Sequence, residues 1–94
     1  MAGPDFKRIR ETVPIVDVLD YLGIDYKWAR KQVRAKCPLC RSKTPRVFAA
    51  TPGINLFRCF KCHEKGDAIE LVSQVLKISK YEAAKELQKQ FNSS

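Results

Sequence analysis

Cys37-Pro-Leu-Cys40 and Cys59-Phe-Lys-Cys62 decide the fold of this 94-residue chain. Two residues between the cysteines of each pair let both sulfurs reach one metal ion. The eighteen residues between the pairs suffice for a β-hairpin that brings the pairs together. This is the spacing of a tetrahedral Zn²⁺ site with four thiolate ligands, a zinc ribbon. Because protein sulfurs fill all four positions, we expect one zinc ion with a structural rather than a catalytic role.

Two other uses of the cysteines are less well supported. Cys59-Phe-Lys-Cys62-His63 matches the attachment motif of c-type haem. However, Met1 is the only methionine, His63 is the only histidine, and the first cysteine pair would be left without a role. A thioredoxin-like redox pair requires a βαβ pattern around it, which the flanking sequence does not show.

Length and composition predict one domain spanning residues 1–94. No apolar run approaches the ~20 residues that cross a bilayer, and the N-terminus has no apolar core of a secretory signal. We therefore expect a cytoplasmic protein with no membrane contact. In a reducing compartment, paired Cys-x-x-Cys motifs bind metal more often than they form disulfides.

The positive charge of the chain is concentrated around the cysteines. Residues 27–65 carry eleven Lys and Arg and one acid, Glu64, whereas residues 1–26 and 66–94 have net charges of −2 and zero. Solubilising charge normally mixes both signs. The distribution therefore favours a polyanionic ligand, most directly nucleic acid. The candidate phosphate contacts are Lys43, Arg46, Arg58 and Lys61.

Aromatic residues lie among these cations. Trp28, Phe48, Phe57 and Phe60 are each able to stack an unpaired base while Arg and Lys side chains follow the nucleic-acid backbone. Some of these rings must instead form the hydrophobic core under the helices, and for any one of them the core is the favoured prediction.

The predicted fold class is α+β. A zinc ribbon on a small antiparallel β-sheet, residues 27–65, is expected between helices at about 5–22 and 67–91. Val47–Thr51 and Leu56–Phe60 are β-rich runs joined by a Pro-Gly turn dipeptide, which predicts a hairpin. Residues from 26 to 36 alternate loosely and predict a strand or a strand pair.

The helix ends carry capping signals. Asp5 and Thr12 are the expected N-caps of two N-terminal helices. Asp67 and Ser79 each stand three residues before a glutamate, as in a capping box, and predict the starts of two C-terminal helices. The expected apolar stripe of the first of these consists of Ile69, Val72, Val75 and Leu76.

Several motifs occur in a fixed order along residues 5 to 90. They are Ile9–Thr12, Ile15–Leu19, Cys37–Cys40, Lys43-Thr44-Pro45, Leu56–Cys62 and Gly66–Ile69. In this order they resemble the zinc-binding, CHC2-type domain of bacterial and phage DNA primases of the DnaG type. The second ligand is often His in that family, and here it is Cys40.

The resemblance implies a domain that contacts single-stranded DNA template and helps to choose where primers start. It implies the zinc ligands Cys37, Cys40, Cys59 and Cys62 and the template contacts Arg34, Lys43, Arg46, Arg58 and Lys61. The partners implied are the single-stranded template and a primase polymerase domain, a DNA polymerase or a helicase. The metal-binding segment has no acidic cluster to hold Mg²⁺, so we expect no primer synthesis by this chain alone. The chain is then either an excised N-terminal domain or a free-standing protein, as on a mobile element.

Two other functions share the same charge and cysteine pattern. One is a generic zinc ribbon that binds RNA or acts in transcription. The other is a protein-docking module whose basic face meets an acidic partner.

Overall fold

The computed structural model describes residues 5–40 and 46–91. Over these ranges the elements are α1 (Phe6–Thr12), α2 (Ile15–Tyr21), β1 (Tyr26–Ala29), β2 (Gln32–Ala35), β3 (Phe48–Thr51), β4 (Leu56–Cys59), β5 (Lys65–Gly66), α3 (Ala68–Leu76) and α4 (Lys80–Phe91). The strands form an antiparallel sheet in the order β1-β2-β3-β4-β5. The predicted α+β class, with helices at both ends of a small antiparallel sheet, is confirmed. The two-residue strand β5 at one edge was not predicted.

Helix α1 begins after the predicted cap, Asp5, whereas α2 begins after a residue that was not predicted to cap it, Pro14. The Asp5 carboxylate accepts a hydrogen bond from the Arg8 N–H at 3.1 Å, as expected of an N-cap. The prediction for Thr12 is wrong: it is the last residue of α1, and its hydroxyl donates to the Arg8 carbonyl at 2.7 Å. Pro14 precedes α2 instead, where its missing N–H costs nothing because the first helical N–H groups have no partner within the helix.

The C-terminal helices begin at the predicted residues. Asp67 accepts from the Glu70 N–H at 2.9 Å, and the Ser79 hydroxyl accepts from the Glu82 N–H at 3.1 Å. The predicted stripe of α3 is wrong at its end, because Leu76 is exposed. Lys77, in the left-handed conformation with φ 57°, ends the helix directly after it.

One face of the sheet forms the core together with the helices. Residues facing this way from β2, β3 and β4 are Val33, Ala35, Phe48, Ala50, Phe57 and Cys59. The rings of Phe48 and Phe57 stack at 5.4 Å between centroids. They are diagonal neighbours on adjacent strands, which is close enough for aromatic side chains to meet. Helices α2 and α3 cover this inner face, so the opposite face is the one left for a ligand.

No helix in the described ranges has both the length and the apolar character needed to cross a membrane.

Candidate metal centre and nucleic-acid interface

The four cysteine sulfurs converge on one point. Their Sγ atoms all lie within 4.8 Å of one another, and the pairs Cys37–Cys62 and Cys40–Cys59 are each 3.8 Å apart. Four sulfurs placed tetrahedrally at about 2.3 Å from a zinc ion are separated by roughly 3.8 Å. The cysteines are therefore positioned to bind one zinc ion. Since none of the four coordination positions is left for water or substrate, the centre is built for structure.

Each cysteine pair forms a tight turn whose backbone N–H groups point at the sulfur of its first cysteine. The Cys37 sulfur accepts from the N–H groups of Leu39 and Cys40 at 3.4 Å. The Cys59 sulfur accepts from Lys61 at 3.4 Å and from Cys62 at 3.3 Å. Such donors stabilise a thiolate over a thiol.

The thiols respond differently to their surroundings. Burial raises the pKa of Cys37, against the two N–H donors. At Cys59 burial also raises the pKa, but the N–H groups of Cys62 and Lys61, together with the thiols of Cys37 and Cys62, outweigh it and lower the pKa to about 7. Cys59 is thus the first of these two thiols to ionise, and zinc uptake must release protons from the thiols that remain protonated.

The metal centre joins two strands across a third. Cys37 lies two residues beyond the end of β2, and Cys59 is the last residue of β4, while β3 runs between them. The backbone is closed at the same end by a 2.7 Å hydrogen bond from the Phe60 N–H to the Val47 carbonyl. A bound zinc ion therefore fixes the spacing between β2 and β4, and with it the spacing of the side chains that precede the ligands, Arg34 and Arg58.

Across the outer face of the sheet, one row of residues is almost entirely basic. The register aligns Lys27 with Arg34, Arg34 with Ala49, Ala49 with Arg58, and Arg58 with Lys65. Residues directly opposite each other in neighbouring strands project from the same face. We call Lys27, Arg34, Ala49, Arg58 and Lys65 the cationic row. It crosses all five strands, and no acidic residue interrupts it.

An exposed aromatic ring lies at the centre of this row. The guanidinium carbons of Arg34 and Arg58 are 5.2 and 5.3 Å from the centroid of the Phe60 ring, which is 47% exposed. Both distances are within the range of a cation–π contact. Arg34 is further held by hydrogen bonds to the Gln32 side chain at 2.9 Å and the Arg46 carbonyl at 3.2 Å. The result is a platform of one ring and two arginine side chains, one of which is held by the Arg46 carbonyl.

Of the five predicted template contacts, Arg34 and Arg58 meet at the Phe60 ring, and Arg46 lies next to Arg34, which donates to its carbonyl. Lys61 is exposed within the second cysteine turn and is not part of the row. Lys43 lies outside the described residues. Lys27 and Lys65 complete the row, whereas the sequence alone indicates them only as part of the positive charge of residues 27–65. Their position depends on the strand register, and β5 was not foreseen.

The four aromatic candidates divide evenly. Phe48 and Phe57 are buried in the core, as favoured for any one of them, whereas Phe60 and Trp28 are exposed. Trp28 is 58% exposed and lies on the edge strand β1. Of the four candidates, only these two rings are available to a ligand. His63 is exposed beside the metal centre and is not among the converging ligands.

Comparison with known proteins gives one consistent result. The CHC2 zinc finger family matches residues 2–94. The chain is 38% identical over 88 residues to the DNA primase of Aquifex aeolicus (strain VF5), an alignment that covers 93% of this chain and 17% of that protein. It is 33% identical over 84 residues to the DNA primase of Thermotoga maritima, covering 88% and 14%.

A solved structure shows the same fold. The crystal structure of the zinc-binding and RNA polymerase domains of the Aquifex aeolicus primase matches with a TM-score of 0.85 at 34% sequence identity. The match covers 100% of this chain and 23% of that one. The chain thus spans only a small part of the length of the relatives it matches.

Proposed function

This chain belongs to the CHC2 zinc finger family, the zinc-binding domain of DNA primases, and on that premise we propose that it binds the single-stranded DNA template on which a primer is started. The observation that carries the proposal is the cationic row with the Phe60 ring at its centre. A row of cations neutralises successive phosphates. An exposed ring stacks bases only if they are unpaired. The combination favours a single strand over a duplex.

Zinc supports this function indirectly. When bound, it supplies a closed four-thiolate cross-link and no reactive position. Arg34 and Arg58 hold the flanks of Phe60 because the strands that carry them, β2 and β4, end at this cross-link. We propose that loss of the metal abolishes template binding by releasing these strands, with no direct contact between zinc and DNA.

We propose further that the joining of nucleotides takes place outside this chain. The four cysteines are committed to one zinc ion, and the chain matches 17% or less of the length of its primase relatives. A polymerase domain is then the first partner, with a DNA polymerase or helicase as further candidates. Use of all four thiols as metal ligands suits a cytoplasmic, reducing location.

The proposal is tested by fluorescence anisotropy of the zinc-loaded protein with labelled single-stranded DNA, duplex DNA and single-stranded RNA at several salt concentrations. We expect tighter binding to single strands, with affinity falling as salt rises. Tighter binding to RNA would favour the generic RNA-binding ribbon, since the 2′-OH is what distinguishes the two. No binding to any oligonucleotide at low salt would refute the proposal and favour a protein-docking module.

Arg58→Gln is the sharpest variant for this assay. We expect weaker binding and a salt slope reduced by about 0.7, the value for one phosphate contact on a single strand. The matched control is Lys85→Gln, which removes one exposed positive charge from α4. Equal effects of the two variants would mean that only net charge matters and that the row is not the contact surface.

A further inference from the structure

A second exposed ring lies in a groove next to the cationic row. A groove of about 620 Å³ runs along the edge strand β1. Its lining includes Trp28 together with Lys27, Lys36, Arg34 and Arg46, and one acid, Asp25. An isolated exposed tryptophan on a protein surface is ordinary. A tryptophan that shares a groove with four cations is a combination that favours a ligand with both a charge and an aromatic face.

The groove is continuous with the platform around Phe60. Arg34 and Arg46 line the groove, and the same Arg34 contacts the Phe60 ring and donates to the Arg46 carbonyl. A ligand that leaves the platform towards β1 therefore enters the groove without crossing an uncharged gap. The net charge of the lining is positive, which favours an anionic occupant over a basic peptide.

The register shows how the groove is shaped. Lys27 aligns with Arg34 on the outer face, whereas Trp28 aligns with Val33, whose side chain is in the core. The lining thus comes from both faces of β1, and the groove curves around the free edge of the sheet. Trp28 faces the helix-covered side but remains 58% exposed.

We propose that Trp28 is a second base-stacking platform, which takes one unpaired base of the same template strand as it turns around the edge of β1. This inference rests on the proposed function. Phe60 contacts arginines of β2 and β4 and so lies over β3, two strand spacings or about 10 Å from β1. One stacked nucleotide step is only ~3.4 Å. The two rings therefore stack bases that are not adjacent, and a mononucleotide does not reach both.

Trp28 also provides its own probe, because it is the only tryptophan of the chain. The zinc-loaded protein is titrated with a thymidine oligonucleotide, and indole emission is recorded alongside anisotropy. A matched oligonucleotide with abasic sites keeps the phosphates and removes the bases. We expect saturable quenching with the thymidine strand at the same midpoint as the anisotropy change, and little quenching with the abasic strand.

Substitution provides the second readout. Trp28→Ala should weaken binding of the thymidine strand about 5- to 150-fold, the usual effect of removing one stacking ring. It should leave binding of the abasic strand unchanged, and Trp28→Phe should restore most of the affinity. The control is Ile54→Ala, which truncates another exposed apolar side chain, in the β3–β4 turn, outside this groove.

The outcomes separate the two proposals. If the wild-type protein binds no single strand, the proposed function fails and this inference fails with it. If it binds with unchanged emission, or if Trp28→Ala binds the thymidine strand as tightly as wild type, only the role of Trp28 is overturned. Equal weakening for the thymidine and abasic strands would likewise overturn stacking, since the loss would not depend on a base.

Discussion

Loss of the Asn55 side chain is predicted to destabilise the fold strongly. It lies in the β3–β4 turn in the left-handed conformation, with φ 56°. Its Nδ2 donates to the carbonyls of Arg10 at 2.8 Å and Val13 at 2.7 Å, and its Oδ1 accepts from the Ile15 N–H at 2.7 Å. One side chain thus ties the link between α1 and α2 to the sheet, and it pairs the first N–H of α2.

The magnitude for Asn55→Ala follows from these three bonds. A neutral hydrogen bond contributes about 0.5–1.5 kcal/mol, and a buried partner left unpaired costs about 1–3 kcal/mol. The Arg10 carbonyl is in an exposed bond and can be rehydrated, whereas the bonds to Val13 and Ile15 are partly buried. We therefore expect a loss of about 2–4 kcal/mol in the free energy of unfolding, a large share of the ~5–15 kcal/mol typical of a domain.

The assay is urea unfolding of the zinc-loaded protein, followed by circular dichroism. Asn55→Gly is the matched variant, because it loses the same three bonds but adopts positive φ without the roughly 1 kcal/mol cost that alanine meets there. It should therefore be about 1 kcal/mol more stable than Asn55→Ala. Losses below about 1 kcal/mol in both variants would refute the reasoning, since the three bonds would then contribute nothing net.

Two further predictions concern loss of the zinc ion and the pH dependence of stability at Glu70. Cys62→Ser, or chelation of zinc from the wild type, should abolish cooperative unfolding rather than merely weaken DNA binding, because binding of a structural zinc ion is coupled to folding; a retained cooperative transition would contradict this. Glu70 has its pKa lowered by the Gln74 side-chain hydrogen bond and then by Lys80, 3.0 Å away. Its stabilisation is therefore present above its unfolded-state pKa and is lost as pH falls through the folded value. Glu70→Gln should destabilise at pH 7, and its difference from wild type should shrink in acid; a pH-independent difference in the unfolding free energy would show that the charge is irrelevant.

The cysteine spacing made most of the fold predictable. Because the two pairs must meet at one ion, the chain between them has to reverse direction. Pro52-Gly53 lies in the turn where it does so. The ligands also fix which side chains share a face. Cys59 points inward, so Phe57 must do the same, whereas Arg58 and Phe60 must point outward. This alternation can be read from the sequence, and it correctly predicts that Phe57 is buried and Phe60 is exposed.

Other features depended on contacts that no local pattern encodes. Asn55 forms hydrogen bonds to residues forty or more positions away, and the sequence of its own turn does not predict them. The exposure of Leu76 depends on where α3 ends, since Lys77 adopts positive φ without a glycine to signal it. The exposure of Trp28 depends on what covers the edge strand β1. Prediction of the cationic row requires the register of four strand pairs, which a count of charges does not provide.

The central claim is that single-stranded DNA lies on the outer face of the sheet. The most direct measurement is a titration of the zinc-loaded, ¹⁵N-labelled protein with a short single-stranded oligonucleotide, followed by amide chemical shifts in NMR. Our account predicts that the largest saturable shifts map to the strands that carry Lys27, Arg34, Ala49 and Arg58 and to Phe60, which follows β4, while amides of α4 stay in place. Shifts centred on α3 and α4, with the strands unaffected, would contradict it.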